Sequence, residues 1–251
     1  MAKKKQQSSR EAVRYAELRP EQFRARLEQM PVAYLPLGTL EWHGDHLPLG
    51  TDAIVSEGLM VRAAQQYGGI VLPPLFLGPD RMRPRADGSY LVGMDYDESV
   101  DPPRPLAGSA YWVSDELFEA MVSGILNQLA RAGFRGVFAD GHGPSRELWV
   151  RRVTEGAPHT AGYADLTLMG VTEAYAEQWT SQTGHAAENE TSLMRYYRDD
   201  LVDMDMLKST EGRIGINGED PSKASQNKGK QHADTALQVL GTILADHGFT
   251  A

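Results

Sequence analysis

Apolar positions recur along this chain in short blocks separated by glycine- and proline-rich joints. Phe23, Leu27 and Met30 stand at helical spacing behind Arg19-Pro20, which predicts a short amphipathic helix that Pro31 stops. Val32 to Leu37 is a continuous apolar run, read as a buried strand that leads into Gly38. A loop of Gly, His, Asp and Pro follows as far as Gly50. Thr51 or Asp52 then caps a helix that runs to about Tyr67, where Gly68-Gly69 end it. Ile70-Val71-Leu72 is a second strand, closed by Pro73-Pro74. Leu117, Met121, Ile125, Leu126 and Leu129 line one face of a helix capped by Ser114 and ended by Gly133. The run from Arg135 to Asp140 is a strand that delivers Gly141-His142-Gly143 to a further helix near Pro144-Ser145. Farther on, the pattern predicts helices over Ser192–Asp200 and about Ser225–Asp246.

Strands alternating with helices in this order predict an α/β layered fold with a largely parallel sheet. Ligands in such folds sit beyond the carboxyl ends of the strands, where both polar loops, Gly38–Gly50 and Gly141–Gly143, fall. Residues 78–108 are rich in Pro, Gly, Asp and Arg and show no period. So long a stretch without regular structure inside a domain is usually a lid or a subunit contact. Residues 1–18 read as a flexible arm, and 19–251 as a single domain.

Composition narrows the chemistry. The chain has 251 residues and no cysteine, so disulfides and thiolate sites are excluded and any metal must sit on His, Asp and Glu. The absence of cysteine suits a cytoplasmic location. Lys and Arg number 25 against 34 Asp and Glu, a net charge of −9 that argues against a nucleic-acid partner. No window approaches the ~18 apolar residues of a membrane span.

Of the seven histidines, three fall in two short segments. The first segment, Leu40 to Asp52, holds Glu41, His43, Asp45, His46 and Asp52. Each has an ordinary explanation taken singly: loop carboxylates, loop imidazoles, and a helix cap for Asp52. Together, flanked by apolar residues, they would be costly to desolvate without cations to balance them. If the strand continued to His43, Glu41 and His43 would face one crevice. Asp52 at a helix N-terminus would stay ionised, with both oxygens free to bridge two cations. His142 stands between glycines at a strand end. A third segment, Gly184 to Ser192, offers His185, Glu188 and Glu190. His159, His232 and His247 have no acidic company at useful spacing and read as surface residues.

The run Glu41-x-His43-Gly-x-His46-Leu-Pro-x-Gly-Thr51-Asp52 resembles the N-terminal signature of the creatininase family. Three later segments are similar to it too: Asp140-Gly-His142-Gly, His185-Ala-Ala-Glu188-Asn-Glu190-Thr-Ser, and Gly218-Glu-Asp-Pro-Ser-Lys-Ala-Ser225. The resemblance implies a three-layer αβα sandwich and two divalent metal ions per chain, Zn, Mn or Fe. By position, Glu41, Asp52 and His142 would hold one ion. His43, Asp52 and a further Glu would hold the other. In creatininase that Glu lies two residues after the position of His142, where this chain has Pro144, which cannot ligate. Members with glycine in that turn use the later segment, which points to Glu188, with Glu190 in reserve.

Two cations ~3.5–4 Å apart lower the pKa of a bridging water and polarise a carbonyl. The resemblance therefore implies a metal-dependent hydrolase, cutting a C–N bond of a cyclic amide or formamide with a metal-bridging hydroxide. His185 would shuttle the proton, or else orient Glu188. Asp45, where the family commonly has Pro, would add a carboxylate at or near the pocket, and His46 would support the ligands or bind substrate. Two alternatives remain: a hydrolase opening a carbocyclic sugar ketone by C–C cleavage, and a non-catalytic metal-binding protein. The resemblance also implies a homo-oligomer, typically a hexamer, acting on a small-molecule substrate.

Overall fold

The computed structural model describes residues 12–156, 165–179 and 184–250. In chain order the elements are helix α1 (Pro20–Gln29), strand β1 (Val32–Leu37), α2 (Thr51–Tyr67) and β2 (Ile70–Val71). A hairpin follows, β3 (Met82–Pro84) and β4 (Tyr90–Val92), then α3 (Asp115–Ala132), β5 (Gly136–Gly141) and α4 (Gly143–Glu155). The chain ends with β6 (Thr167–Met169), α5 (Glu173–Ala176), α6 (Glu188–Arg198) and α7 (Gln226–Asp246), short 3-10 turns joining the last two.

Four strands form one parallel sheet in the order β2-β1-β5-β6. Strand β1 is buried on both sides, as its unbroken apolar run requires. Its side chains alternate. Val32 and Tyr34 join Phe138 and Met169 against α2 and α7, where Met60, Leu240 and Ile243 complete the packing. Ala33, Leu35 and Leu37 face the opposite way, onto Phe118, Leu126 and Trp149 of α3 and α4. The result is helix, sheet, helix: the three-layer αβα arrangement.

Both helices expected to be capped end at the glycines that the sequence indicates, but only α3 has the expected N-cap. Ser114 accepts from the Leu117 amide, and Gly133 closes α3 in the left-handed conformation. For α2 the cap is Gly50, with Thr51 in the first turn bonded to the Pro48 carbonyl instead. Residues 12–18 are not a free arm. Val13 is buried, its carbonyl accepts from Val71, and Arg14 pairs with Glu57 at 2.7 Å. Residues 1–11 lie outside the described residues, as do His159 and Ser181.

Within the aperiodic stretch 78–108, one buried side chain joins distant parts of the backbone. Buried Asp95 accepts from the Val92 amide at 2.9 Å and from the Leu106 amide at 2.7 Å, so the strand end and a distant turn hang on one carboxylate. Leu91, Val92 and Val100 of the same stretch are buried. Among the described residues no helix is long and apolar enough to cross a membrane.

Candidate metal centre

Strand β1 stops at Leu37, short of the ligand-bearing segment, so Glu41 and His43 meet through a loop rather than along a strand. The His43 Nδ1 lies 3.0 Å from the Glu41 carbonyl oxygen. A carbonyl only accepts, so Nδ1 carries the proton and the lone pair of the neutral ring sits on Nε2. That atom is fully buried and has no hydrogen-bond partner. It stands 3.5 Å from Asp52 Oδ2, itself buried and unpartnered, and 4.0 Å from Glu190 Oε2. Two orphaned buried atoms aimed at each other beyond good hydrogen-bond distance fit a shared cation.

The other side of the site repeats the arrangement. His142 Nδ1 is 3.4 Å from the Ser145 hydroxyl, which donates onward to the Gly38 carbonyl, and His142 Nε2 is 3.5 Å from Glu41 Oε2. The residue before it must be glycine: a Cβ on Gly141 would collide with the Leu37 carbonyl of the neighbouring strand. Asp52 lies between the two groups, its carboxylate stabilised by His43, His142 and His185 alike. Three sets of side chains bring donor atoms within 4.8 Å of one another: Glu41 with His43 and His185, Glu41 with Asp80 and His142, and His43 with Asp52 and Glu190.

Electrostatics bear the marks of crowded carboxylates. Burial alone would push His43 down, but Asp52, then Glu190 and Glu41, hold it up at about 10. Burial would raise Asp52 too, yet the nearby charge of His43 holds it well below the ordinary range. Glu190 is pushed up by burial, against the pull of His43. A cation entering here must therefore displace protons from His43 and Glu190. Uptake of Zn2+ at pH 7 is expected to release protons and to tighten as pH rises. Titration calorimetry in buffers of different ionisation enthalpy measures that release; identical heats in all buffers would contradict it.

Glu188 is not in this cluster. Helix α6 begins at Glu188, and residues two apart on a helix point some 200° from each other. Glu190 therefore faces His43 while Glu188 faces α7, whose Lys228 and His232 lie at 3.2 and 3.5 Å, and Ser192 of its own helix donates to it at 2.7 Å. The structure thus turns Glu188, the expected ligand, away from the cluster and brings Glu190, held in reserve, to it. Glu190 Oε2 also accepts from the Ala186 amide at 2.6 Å, which fixes its direction.

Asp45 is exposed and outside the pocket wall, since Gly44, at a φ of 67°, turns the chain away before it. His46 is buried but does not reach the pocket. Its Nε2 bonds Thr191 at 2.9 Å, tying the loop to the helix that carries Glu190, and burial drops its pKa to about 4. Trp179, the tryptophan nearest the third segment, packs on Phe138 in the core.

His185 lies beside the cluster, its ring centroid 4.2 Å from that of His43. Its Nε2 is 2.6 Å from the Trp42 carbonyl and must donate, leaving Nδ1 as the basic atom, 3.8 Å from Glu41 Oε2. Burial and the neighbouring His43 lower its pKa, so it is neutral. Paired backbone hydrogen bonds with Asn217 hold the residue in place. Above this floor opens a cavity of about 630 Å³, walled by Arg81, Arg83, Tyr96 and Arg146. Asp80, which sequence reasoning passed over, reaches the floor itself.

The family model for creatininase, creatinine amidohydrolase, matches residues 16–244. The chain belongs to the creatininase family. A creatinine amidohydrolase of Pseudomonas putida is 26% identical over 235 residues, covering 86% of this chain and 84% of that protein. The solved structure "Creatininase Mn" has a TM-score of 0.68 at 20% identity, covering 94% of this chain and 98% of its own. A mutant creatininase complexed with creatine gives 0.68 at 21% over the same spans. The chain is thus a metal-dependent hydrolase of the creatininase family, on that family's fold.

Proposed function

We propose that this protein is a binuclear hydrolase that opens a C–N bond of a small cyclic amide or formamide. The observation that carries the reading is the pair of orphaned buried atoms, His43 Nε2 and Asp52 Oδ2, flanked by Glu190 on one side and by Glu41 with His142 on the other. Glu41, Asp52 and His142 would hold one ion; His43, Asp52 and Glu190 the other, with Asp52 common to both. The P. putida relative, a creatinine amidohydrolase, supports an amide as substrate. When bound, such cations supply Lewis acidity and a nucleophile at neutral pH.

The chain's own part is proton handling. Neutral His185 presents a free Nδ1 to the floor of the cavity while the Trp42 carbonyl fixes its tautomer. It accepts the proton of the water that attacks the carbonyl carbon and returns it to the leaving nitrogen as the C–N bond breaks. Orientation of Glu188, the other role considered for His185, loses its basis, because Glu188 turns toward Lys228. A homo-oligomer in the cytoplasm remains our expectation for the assembled enzyme.

The test is to screen the zinc- or manganese-loaded protein against cyclic amides, formamides and inososes, with products identified by mass. Ring-opened or deformylated amide is expected; turnover of inososes alone would replace this reading with C–C cleavage. On the substrate so found, His185→Ala should lower kcat ~10²–10⁴-fold with both metals retained, the range typical of a general acid–base group. Full activity in that variant would remove His185 from the mechanism.

A further inference from the structure

We infer that Asp80 is a further ligand of the metal position held by Glu41 and His142, and that a metal there fastens residues 78–98 over the site. The inference rests on the binuclear reading above. Asp80, Glu41 and His142 bring donor atoms within 4.8 Å of one another, although they come from the 78–108 stretch, the β1 loop and the end of β5. The two carboxylates converge on one point. An ideal Cβ on Gly93 would lie 2.5 Å from Glu41 Oε1 and 2.6 Å from Asp80 Oδ2, so both oxygens share the space that the missing side chain leaves.

The partners of the Asp80 carboxylate divide its two oxygens. Oδ1 accepts from the Arg81 amide at 2.7 Å, which orients the group and leaves Oδ2 toward Glu41. The arginines of the wall are engaged beyond it: Arg81 reaches Glu147 at 2.6 Å, Arg83 stacks 4.2 Å from the Tyr96 ring, and Arg146 approaches Asp140 at 3.9 Å. Two acidic oxygens facing the same space repel each other unless a cation joins them, and the imidazole of His142 completes a nitrogen–oxygen set suited to a borderline metal.

The consequence reaches the fold of the segment. Asp80 begins it, and Gly93 to Glu98 return beside the same cavity after the hairpin β3–β4. A cation that takes Asp80 as a ligand ties the base of this excursion to β1 and β5. Metal would then order one wall of the pocket as well as activate the reaction.

The test compares wild-type protein, Asp80→Asn, and Asp87→Asn as a control in the hairpin turn, all stripped of metal and titrated with Zn2+ alone. Wild type and the control should bind two ions per chain. Asp80→Asn should weaken one position by ~10–100-fold or more, since even outer partners of metal ligands are worth that much. Hydrogen exchange supplies the second readout: Zn2+ should slow exchange at the amides of 80–98 in the wild type and the control, and much less in Asp80→Asn. Two ions bound with unchanged affinity by Asp80→Asn, or zinc protection of 80–98 equal to wild type, overturns this inference alone. A wild type that binds no zinc overturns the binuclear reading and this with it.

Discussion

Asp52→Ala is expected to empty both metal positions and to lower turnover by roughly 10³-fold or more. Lewis-acid stabilisation is worth several kcal/mol, and each ~1.36 kcal/mol is tenfold in rate. The prediction follows from where Asp52 stands. It is buried in the first turn of α2, where the helix dipole favours its charge, and its Oδ2 faces His43 Nε2 at 3.5 Å without a hydrogen bond. The histidines of both groups act on it, so its loss reaches both ions rather than one. Elemental analysis after dialysis reads the metal content directly. Asp52→Asn keeps the shape and removes only the charge, so it separates ligation from packing. Circular dichroism should show both variants folded. Two ions retained by Asp52→Asn would defeat the shared-ligand model, and one ion in the fully loaded wild type would defeat the binuclear model outright.

The ligand-rich loop was legible because its chemistry is contiguous: Glu41, His43 and Asp52 lie within twelve positions, and Thr51-Asp52, read as the start of a helix, fall in the first turn of α2. The layers were legible as well, since β1 is apolar at every position and α3 runs from Ser114 to Gly133, although its buried line is Phe118, Val122, Leu126 and Leu129 and the expected Leu117 is exposed. Asp80 was not. Its segment has no period because it is organised by side chain to backbone bonds, above all those of Asp95, which leave no repeating pattern. Asp45 was misplaced for a related reason, a single left-handed glycine at position 44 that reverses the loop. The burial of Val13 beside Val71 escaped notice because two apolar residues, Ala12 and Val13, between Glu11 and Arg14 are too short a run to carry a pattern.

Glu190→Gln is expected to lose one of the two metals and most of the activity, while Glu188→Gln keeps both. The sequence offers two glutamates two positions apart and cannot choose between them without the first residue of the helix. The structure begins α6 at Glu188, and that register turns Glu190 onto His43 at 4.0 Å and Glu188 onto Lys228 at 3.2 Å. The buried carboxylate of Glu190 is also directed by the Ala186 amide, so its amide variant keeps its shape but offers a far weaker ligand. In Glu188→Gln only a partly exposed pairing with Lys228 and His232 is lost, worth at most about 1 kcal/mol. That amount lowers the melting temperature by only ~2–4 °C in a domain of this size. Metal content and thermal unfolding of the two variants, measured side by side, give opposite signatures: metal loss with Glu190→Gln, and a small stability loss with Glu188→Gln. The reverse pairing would mean that α6 starts two residues later in the metal-loaded enzyme, and Glu188 would then be the ligand.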